Sequence, residues 1–395
     1  MKIIVAFIVP ILFLVACGKS GSSPATQTTV PSASISDASQ QRSAASDTTF
    51  VFTVTLSQAA QQNVTVSYTT IDGTAVKNTD YLPASGTLTI SAGSTSASIN
   101  VQVTGDSLRR PNQIFYVQLS NPQNCTLSGN KGTGTIINDD LLYFPVDNTG
   151  YTTPTQYPGY TLAWSDEFTG NAINTNNWGF ESGNNSGWGN QELENYTART
   201  QNAFVSAGNL IIEARLESLG GFTYTSARMK TEGLQSFQYG RVDIRAKLPA
   251  GQGMWPALWM LGNDITQVNW PACGEIDMME LLGQQTNKIY GTLHWGANYT
   301  SEASQGGTYT LPTGGFDQQF HVYSLLWDAD SLKLLVDDQQ YFSLATSAVS
   351  PGSPFNNKFF FIFNIAVGGN WPGAPNGTTQ FPQRMVVDYI RVFQK

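Results

Sequence analysis

Three acidic side chains stand close together in an otherwise apolar stretch of the chain: Glu275, Asp277 and Glu280. Side chains alternate between the two faces of a strand, so Glu275 and Asp277 share a face while Glu280 should point the other way. One inserted residue, a β-bulge at Met278 or Met279, would return Glu280 to that face. Crowding three acids has a folding cost. Retaining hydrolysis of a glycosidic bond would explain it, because that reaction needs a carboxylate nucleophile and a carboxylic acid about 5 Å apart.

The two glutamates would need different protonation states for this chemistry. One must be ionised to attack the anomeric carbon, while the other must hold a proton for the departing glycosidic oxygen. Neighbouring carboxylates cannot all ionise cheaply, so the cluster itself raises the pKa of one member. An acidic strand exposed to solvent, or a metal site, is the alternative explanation of the same pattern.

The composition fits an extracellular β protein that handles neutral polymers. The chain has 395 residues, enough for two or more domains, and only 12% of them are charged, about half the usual share. The net charge of -8 argues against nucleic acid or an anionic membrane surface as a partner.

The N-terminus has the pattern of an export signal. Lys2 precedes an apolar run over residues 3–16 that is short for a bilayer span and is broken by Pro10. The run ends in Leu-Val-Ala-Cys17, which resembles the lipobox of bacterial lipoproteins. That resemblance implies a signal peptide over residues 1–17, lipidation of Cys17, and anchoring to the bacterial outer membrane, at the cell surface or in the periplasm. An ordinary signal peptide with a chance cysteine is the alternative.

The rest of the chain divides by composition. Residues 18–32 are rich in Ser, Thr, Pro and Gly and predict a flexible tether. Residues 33–140 contain short alternating runs separated by turn residues, the spacing of a small β-sandwich. A linker is predicted over residues 141–157. Residues 158–395 show further alternating strands and no convincing long helix, which suits one large sandwich.

The two remaining cysteines, Cys125 and Cys273, lie about 150 positions apart in the predicted domains. Two buried free thiols are the simpler explanation, although an inter-domain disulfide stays open. Only two histidines are present, and no Cys/His cluster has zinc spacing, so no catalytic zinc is expected.

The first sandwich closely resembles a Calx-β domain, an immunoglobulin-like fold. Members of that family often bind calcium through acidic loop residues. Here the corresponding loop, residues 106–113, reads DSLRRPNQ, so a spacer or adhesion role is expected instead. The matching segments are VTVSY (64–68), DGTA (72–75), TDY (79–81), SGT (85–87) and GTIINDD (134–140).

The second unit contains all nine tryptophans of the chain. Aromatic platforms can stack on sugar faces, so this asymmetry places a carbohydrate site in residues 158–395. Several sequence blocks carry a resemblance to family 16 glycoside hydrolases, and among them to the laminarinase-like β-1,3-glucanases. These blocks are WSDEF (164–168), GWGNQELENYT (187–197), SARMKT (226–231), GMWPALWMLG (253–262), GEIDMME (274–280), HWG (294–296), residues 364–373 and VDYIRV (387–392).

The resemblance implies a concanavalin-like β-jelly roll with a sugar-binding cleft on the concave side, so that the chain as a whole is all-β. Glu275 would be the nucleophile, Asp277 its electrostatic partner and Glu280 the general acid/base. The residues that it places against substrate are Trp255 and Trp259 as stacking platforms, Asn190, Glu192 and Arg228 as hydrogen-bonding groups, and Trp270 and His294 along the same cleft. Trp255 or Trp259 could instead belong to the core, and His294 could be a structural imidazole.

Many members of the family also carry a structural calcium ion on the convex side. Its usual ligands match Glu167, the carbonyl of Gly208 and Asp388, and hard oxygen ligands suit calcium. Ordinary surface acids are the alternative. No cofactor is expected for catalysis.

The implied activity is endo-acting, retaining hydrolysis of β-1,3-glucan such as laminarin, extending to mixed β-1,3-1,4-glucan. A β-glucan polysaccharide is the expected partner, with membrane contact only through the N-terminal lipid, and a monomer is expected. Alternatives are a bulged agarase or carrageenase type of enzyme, a non-catalytic glucan-binding lipoprotein, and an adhesion protein built on the Calx-β-like domain.

Overall fold

The computed structural model of the protein describes residues 30–110, 112–138, 143–350 and 352–395. The predicted signal peptide, with the lipidation site Cys17, lies outside the described residues, as does most of the predicted tether. Among the residues that the structure describes, no helix is both long and apolar enough to cross a membrane.

Short strands build the N-terminal unit, because alternating apolar residues let each strand bury one face. Its described residues form nine strands, in chain order β1 (Ser32–Ile35), β2 (Ala38–Gln41), β3 (Thr48–Leu56), β4 (Val64–Asp72), β5 (Ser85–Ile90), β6 (Ser96–Val103), β7 (Gln113–Gln123), β8 (Thr126–Gly129) and β9 (Lys131–Ile137). They form a four-stranded sheet in the order β6-β3-β1-β8 and a five-stranded sheet in the order β2-β9-β7-β4-β5. The predicted small sandwich is confirmed.

Aromatic rings fill the space between these two sheets. Phe115 lies at the centre, with its ring centroid 4.6 Å from Tyr81 and 5.8 Å from both Phe50 and Phe52. All four side chains are fully buried. The sandwich therefore has a core of its own, independent of the larger unit.

An arginine occupies the acidic corner of this sandwich. Arg42 is 3% exposed and donates to Asp80 and Asp106, each at 3.0 Å. Arg110 also pairs with Asp106, at 2.7 Å. These cations balance the carboxylates from within the chain.

The remaining strands form the larger unit. They are β10 (Thr161–Asp166), β11 (Gly179–Glu181), β12 (Glu194–Tyr196), β13 (Ala203–Ser206), β14 (Asn209–Leu219), β15 (Phe222–Ser226), β16 (Arg228–Lys230), β17 (Gly240–Lys247), β18 (Met254–Gly262), β19 (Glu275–Leu281), β20 (Lys288–Trp295), β21 (Ala303–Thr310), β22 (His321–Trp327), β23 (Ser331–Val336), β24 (Gln339–Ala345), β25 (Phe359–Val367) and β26 (Gln383–Gln394). The helical segments in the part of the chain that the structure describes are α1 (Ile265–Val268) and four 3₁₀ turns: Asn185–Gly187, Tyr299–Ser301, Thr346–Ala348 and Pro354–Asn356.

Two large sheets stack face to face in this unit. The seven-stranded sheet has the order β11-β16-β25-β18-β19-β20-β21. The ten-stranded sheet follows the path β12-β15-β14-β26-β17-β22-β23-β24, with β10 on β26 and β13 on β14. The core between the sheets includes Ile244 and Val392 from one sheet and Leu258 and Phe363 from the other. This is the predicted jelly roll.

Strand β25 shows how the seven-stranded sheet positions a site. All nine of its residues are buried. Phe361, Phe363 and Ile365 point into the core between the sheets. Because side chains alternate, Asn364 and Ala366 lie on the opposite face, where they line a cleft.

The described part of the predicted linker lies along the ten-stranded sheet. Arg245, 2% exposed, donates to the carbonyl oxygens of Tyr151 at 2.6 Å and Asn148 at 2.7 Å. Phe144 packs edge-on against Phe204. These contacts hold the described part of the segment against the larger unit.

Both remaining cysteines are buried free thiols, which confirms the simpler of the two interpretations. Cys125 packs in the small sandwich, and Cys273 lies just before β19.

Candidate active site

A β-bulge in β19 brings the three acids to one face. On the β18 side, Leu258 pairs with Met279 and Trp259 pairs with Asp277, which leaves Met278 without a partner. Met278 and Met279 are 1% and 0% exposed and both lie in the core between the sheets. The inserted residue is therefore Met278, and the predicted bulge is confirmed.

The same face of the sheet forms a cleft of about 650 Å³. The cleft brings together every residue that the sequence placed there, catalytic and substrate-binding alike: Asn190, Glu192, Arg228, Trp255, Trp259, Trp270, Glu275, Asp277, Glu280 and His294. Strands β16, β18, β19 and β20 supply seven of them from the concave side of the sheet, and loops supply Asn190, Glu192 and Trp270.

Each of the three acids has a nitrogen partner of its own. The indole N–H of Trp270 donates to Glu275 Oε2 at 2.9 Å, and that of Trp255 donates to Glu280 Oε1 at 3.0 Å. His294 Nε2 lies 3.3 Å from Asp277 Oδ2. Trp255 and Trp270 thus hold the reactive carboxyls in addition to offering ring surface, a role that the sequence alone did not reveal.

Burial shifts the ionisation of the whole cluster. It raises the pKa of Glu275 to about 8, with the nearby Asp277 carboxyl adding to the effect, and it raises the pKa of Asp277 to about 8. The pKa of Glu280 is raised well above its usual value, first by burial and then by Asp277. The indole of Trp270 and the imidazole of His294 act in the opposite direction on the pKa of Glu275. The cluster therefore keeps protons at neutral pH, and Glu280 is placed to hold one.

His294 joins the cluster to the rim of the cleft. Its Nδ1 lies 2.8 Å from Glu302 Oε1. In the described part of the chain, Glu275, Asp277 and His294 are the one group of three or more potential metal ligands, with ligand atoms within 4.8 Å of one another. Trp270, His294 and Glu302 already contact these atoms, so hydrogen bonding accounts for the arrangement.

Arg228 forms one wall of the cleft. Its guanidinium carbon lies 4.5 Å from the ring centre of Trp188 and 4.8 Å from that of Trp259. Its Nε donates to Glu181. Stacking between two indoles fixes the plane of the guanidinium and leaves its edge available to sugar hydroxyls.

Asn190 and Glu192 come from a strained loop. Trp188 and Gln191 have φ values of 51° and 57°, in the left-handed region that side chains other than glycine rarely adopt. The Asn184 side chain ties the loop together by accepting from the N–H of Gly187 and donating to the carbonyl oxygen of Glu192. Strain of this kind is common where a loop must present groups to a ligand.

Comparison with known proteins agrees with this geometry. The profile described as Glycosyl hydrolases family 16 matches residues 187–391, more than half of the chain, and the Calx-beta domain profile matches residues 27–140. The chain belongs to glycosyl hydrolase family 16.

Three relatives illustrate the similarity to family 16 proteins. The beta-glucanase of Rhodothermus marinus is 42% identical over 60% of this chain and 86% of its own length. Glucan endo-1,3-beta-glucosidase A1 of Niallia circulans is 41% identical over 60% of this chain, which spans only 38% of that relative. The solved catalytic domain of an endo-1,3-beta-glucanase (laminarinase) from Thermotoga petrophila RKU-1 is 49% identical, with a TM-score of 0.57, over 60% of this chain and 98% of that one.

Among the further residues that line the cleft of this family 16 domain, four with aromatic or amide side chains were not singled out as substrate contacts. Trp188 and Trp371 lie within the sequence blocks that carried the resemblance, so their position gave a signal. Asn364 is the one polar residue in the apolar run of β25, which was also readable. Tyr299 had no signal; it is 72% exposed, and its ring lies 4.8 Å from that of Trp270.

The predicted calcium ligands fit a metal ion only in part. The Glu167 carboxylate accepts two hydrogen bonds from Arg391, at 2.8 and 2.7 Å. Asp388 Oδ2 accepts from Arg245 at 2.8 Å. Gly208, with φ of 73°, is placed by a tight turn. Because both carboxylates already have a guanidinium partner, calcium at this place stays a prediction.

Proposed function

We propose that the protein is an endo-acting, retaining glycoside hydrolase of β-1,3-glucan. The observation that carries the proposal is the bulge at Met278, which turns Glu275, Asp277 and Glu280 into one cleft. Two carboxyls on one face, each held by a different indole, supply the nucleophile and the acid that double displacement requires.

In this mechanism the ionised fraction of Glu275, which His294 and the Trp270 N–H favour, attacks the anomeric carbon. Glu280 gives its proton to the departing glycosidic oxygen. Formation of the glycosyl-enzyme ester removes the charge of Glu275. Glu280, now ionised, takes a proton from water, which attacks the same carbon and releases a product with retained configuration. Asp277 lies between the two and tunes the exchange, with His294 on its other side.

The substrate class is inferred from the wall of the cleft and from the relatives. Five indoles and a guanidinium line it, together with amide and carboxylate groups. Apolar ring faces next to hydrogen-bonding edges suit a neutral glucan chain. The similarity to proteins named as β-1,3-glucanases supports laminarin as the polymer, with mixed β-1,3-1,4-glucan as a second substrate.

A hydrolysis panel tests this proposal. The purified protein is incubated with laminarin, mixed-linkage β-glucan, agarose and carrageenan, and the reducing ends released are counted beside those from Glu275→Ser. We expect fast release from laminarin, slower release from the mixed-linkage polymer, and none from the galactans. Release from agarose or carrageenan alone would assign a galactan hydrolase instead.

The same panel distinguishes a protein that only binds glucan. If wild type and Glu275→Ser both retain laminarin on a pull-down and neither releases reducing ends, a binding lipoprotein is the better description. An adhesion role for the small sandwich predicts that a chain lacking residues 158–395 still adheres to its target.

We also propose that the protein is exported and held at the membrane by lipid on Cys17. Membrane fractionation of wild type and Cys17→Ala tests this, since loss of the thiol should release the protein. The calcium prediction is tested by thermal unfolding in the presence of calcium and in the presence of a chelator. The same Tm under both conditions would contradict the prediction.

A further inference from the structure

A second pair of acids lies at the wall of the cleft, one in the lining and one behind it. Glu192 lines the cleft and is 6% exposed, whereas Glu194, two residues later in β12, is 0% exposed. Glu192 belongs to the loop that leads into β12, and its carboxyl lies within hydrogen-bonding reach of the carboxyl of Glu194. Two buried carboxylates so close together would repel each other strongly if both were ionised.

Glu192 is the end point of a chain of hydrogen bonds that begins at the floor of the cleft. The indole of Trp259 donates to Asn364 Oδ1 at 2.8 Å, and the Asn364 amide donates to the hydroxyl of Tyr196 at 3.0 Å. The Tyr196 hydroxyl donates to Glu192 Oε2 at 2.9 Å. Asn190 donates to Glu192 Oε1 at 3.4 Å, a long bond. Every donor in this chain of bonds therefore points toward Glu192, whose two carboxyl oxygens both accept.

Glu194, unlike Glu192, has a hydrogen-bond donor at only one of its two carboxyl oxygens. Its Oε2 accepts from the backbone N–H of Val367 at 2.6 Å, while its Oε1 is buried with no hydrogen-bond partner in the described structure. Burial, followed by the charge of Glu192, raises the pKa of Glu194 well above its usual value. A buried carboxylate oxygen without a donor is costly, whereas the same oxygen carrying a proton becomes a donor itself.

We propose that Glu194 is a protonated positioning residue, whose Oε1–H donates to the Glu192 carboxylate and fixes it toward the sugar in the cleft. Its other oxygen accepts a hydrogen bond from Val367, the last residue of β25. This bond fixes the position of the two acids relative to β25, the strand that carries Asn364. This inference rests on the proposed glucan hydrolase function and deepens it by naming what orders the hydrogen-bonding wall.

Two variants at this position test the role. Glu194→Gln mimics the protonated acid, since its oxygen can accept from Val367 and its amide can donate to Glu192. Glu194→Leu keeps the approximate volume and removes both bonds. We expect Glu194→Gln to restore KM and kcat on laminarin to within about twofold of wild type. Glu194→Leu should raise KM about tenfold and change kcat less than about threefold, because the disturbed group binds sugar and does not react.

An infrared measurement tests the proton itself and does not depend on turnover. The difference spectrum of wild type minus Glu194→Gln at pH 7 should contain the C=O stretch of a protonated carboxylic acid. If that band is missing, or if Glu194→Gln raises KM as much as Glu194→Leu does, the proposal is overturned. A Glu194→Leu protein that folds and has the wild-type KM would overturn it as well.

The controls separate this proposal from the proposed function. Wild type without activity on laminarin would refute the function, yet the infrared band would still report on Glu194. Active wild type without the band would refute only the role of Glu194. Tryptophan fluorescence during thermal unfolding shows whether Glu194→Leu folds; if it does not, the spectrum and Glu194→Gln still decide.

Discussion

Replacing Glu275 with glutamine should stabilise the larger unit at neutral pH while it abolishes turnover. Glutamine has the shape of the acid and can accept the Trp270 N–H in the same way. It cannot attack the anomeric carbon, so kcat should fall at least about 10³-fold. The gain in stability arises because the native site makes ionisation of this carboxyl unfavourable.

The size of the gain follows from the pKa. Burial and Asp277 raise the pKa of Glu275 from 4.5 to about 8, so the folded protein retains a proton that the unfolded chain loses at neutral pH. Stability supplied by the neutral carboxyl is complete below pH 4.5 and is lost as the pH rises toward 8. At pH 7 this loss amounts to at most about 3 kcal/mol. Glutamine does not titrate and avoids it. Because the site is shared with Asp277, we expect a gain of about 1–3 kcal/mol.

Thermal unfolding followed by tryptophan fluorescence provides the assay. All nine tryptophans lie between residues 164 and 371, so the signal reports on the larger unit alone. For a domain of this size, the gain corresponds to a rise in Tm of about 3–8 °C at pH 7 and to almost none at pH 4.5. Asp330→Asn, an exposed acid in the turn between β22 and β23, should change Tm by less than about 1 °C at either pH.

Two outcomes would refute this reasoning. An equal rise in Tm at both pH values would mean that the gain does not come from titration. A lower Tm at pH 7 would mean that the ionised carboxylate stabilises the fold, in contradiction to a pKa raised by burial.

Three further changes probe other parts of the site. Glu280→Gln should lower kcat about 10²–10⁴-fold and remove the alkaline limb of the pH–rate profile, and a retained limb would reject Glu280 as the acid. Trp270→Phe keeps an aromatic ring but removes the N–H that lowers the pKa of Glu275, so the acidic limb of the pH profile of kcat/KM should move to higher pH. An unchanged acidic limb would show that the hydrogen bond from Trp270 does not set the pKa of Glu275. Tyr299→Ala should raise KM on laminarin about two- to tenfold with kcat unchanged, because the ring would no longer stack on sugar. Thr300→Ala, on the same 3₁₀ turn, is the control. An equal rise in KM for the two variants would exclude sugar stacking by Tyr299.

The sequence was sufficient to predict the catalytic face. The spacing of Glu275, Asp277 and Glu280 is incompatible with strict alternation, and a single inserted residue is the simplest remedy. It could not tell Met278 from Met279, since both are apolar and both end up in the core. Only the pairing of β19 with β18 makes that choice.

The hydrogen bonds within the cleft were not predictable. A tryptophan in a motif suggests ring stacking, and nothing in the sequence shows that the indole of Trp255 is aimed at Glu280. The same holds for the link between Glu194 and Val367, which joins residues 173 positions apart. Such contacts depend on three-dimensional placement and leave no periodic pattern.

The contacts of the predicted linker could not be predicted from its composition. Pro, Gly and Tyr indicate a linker over residues 141–157, but the groups that hydrogen-bond its described part lie far along the chain. Arg245 and Tyr389 supply them from the ten-stranded sheet. Local sequence carries no information about partners at that distance.

The anomeric configuration of the first product is the most direct test of the central claim. Proton NMR during the hydrolysis of laminarin or a laminari-oligosaccharide by wild type shows which anomer appears before mutarotation. Attack by Glu275 followed by water on the same carbon predicts the β anomer first, with no product from Glu275→Gln. Initial release of the α anomer, or undiminished turnover by Glu275→Gln, would contradict a mechanism through these acids.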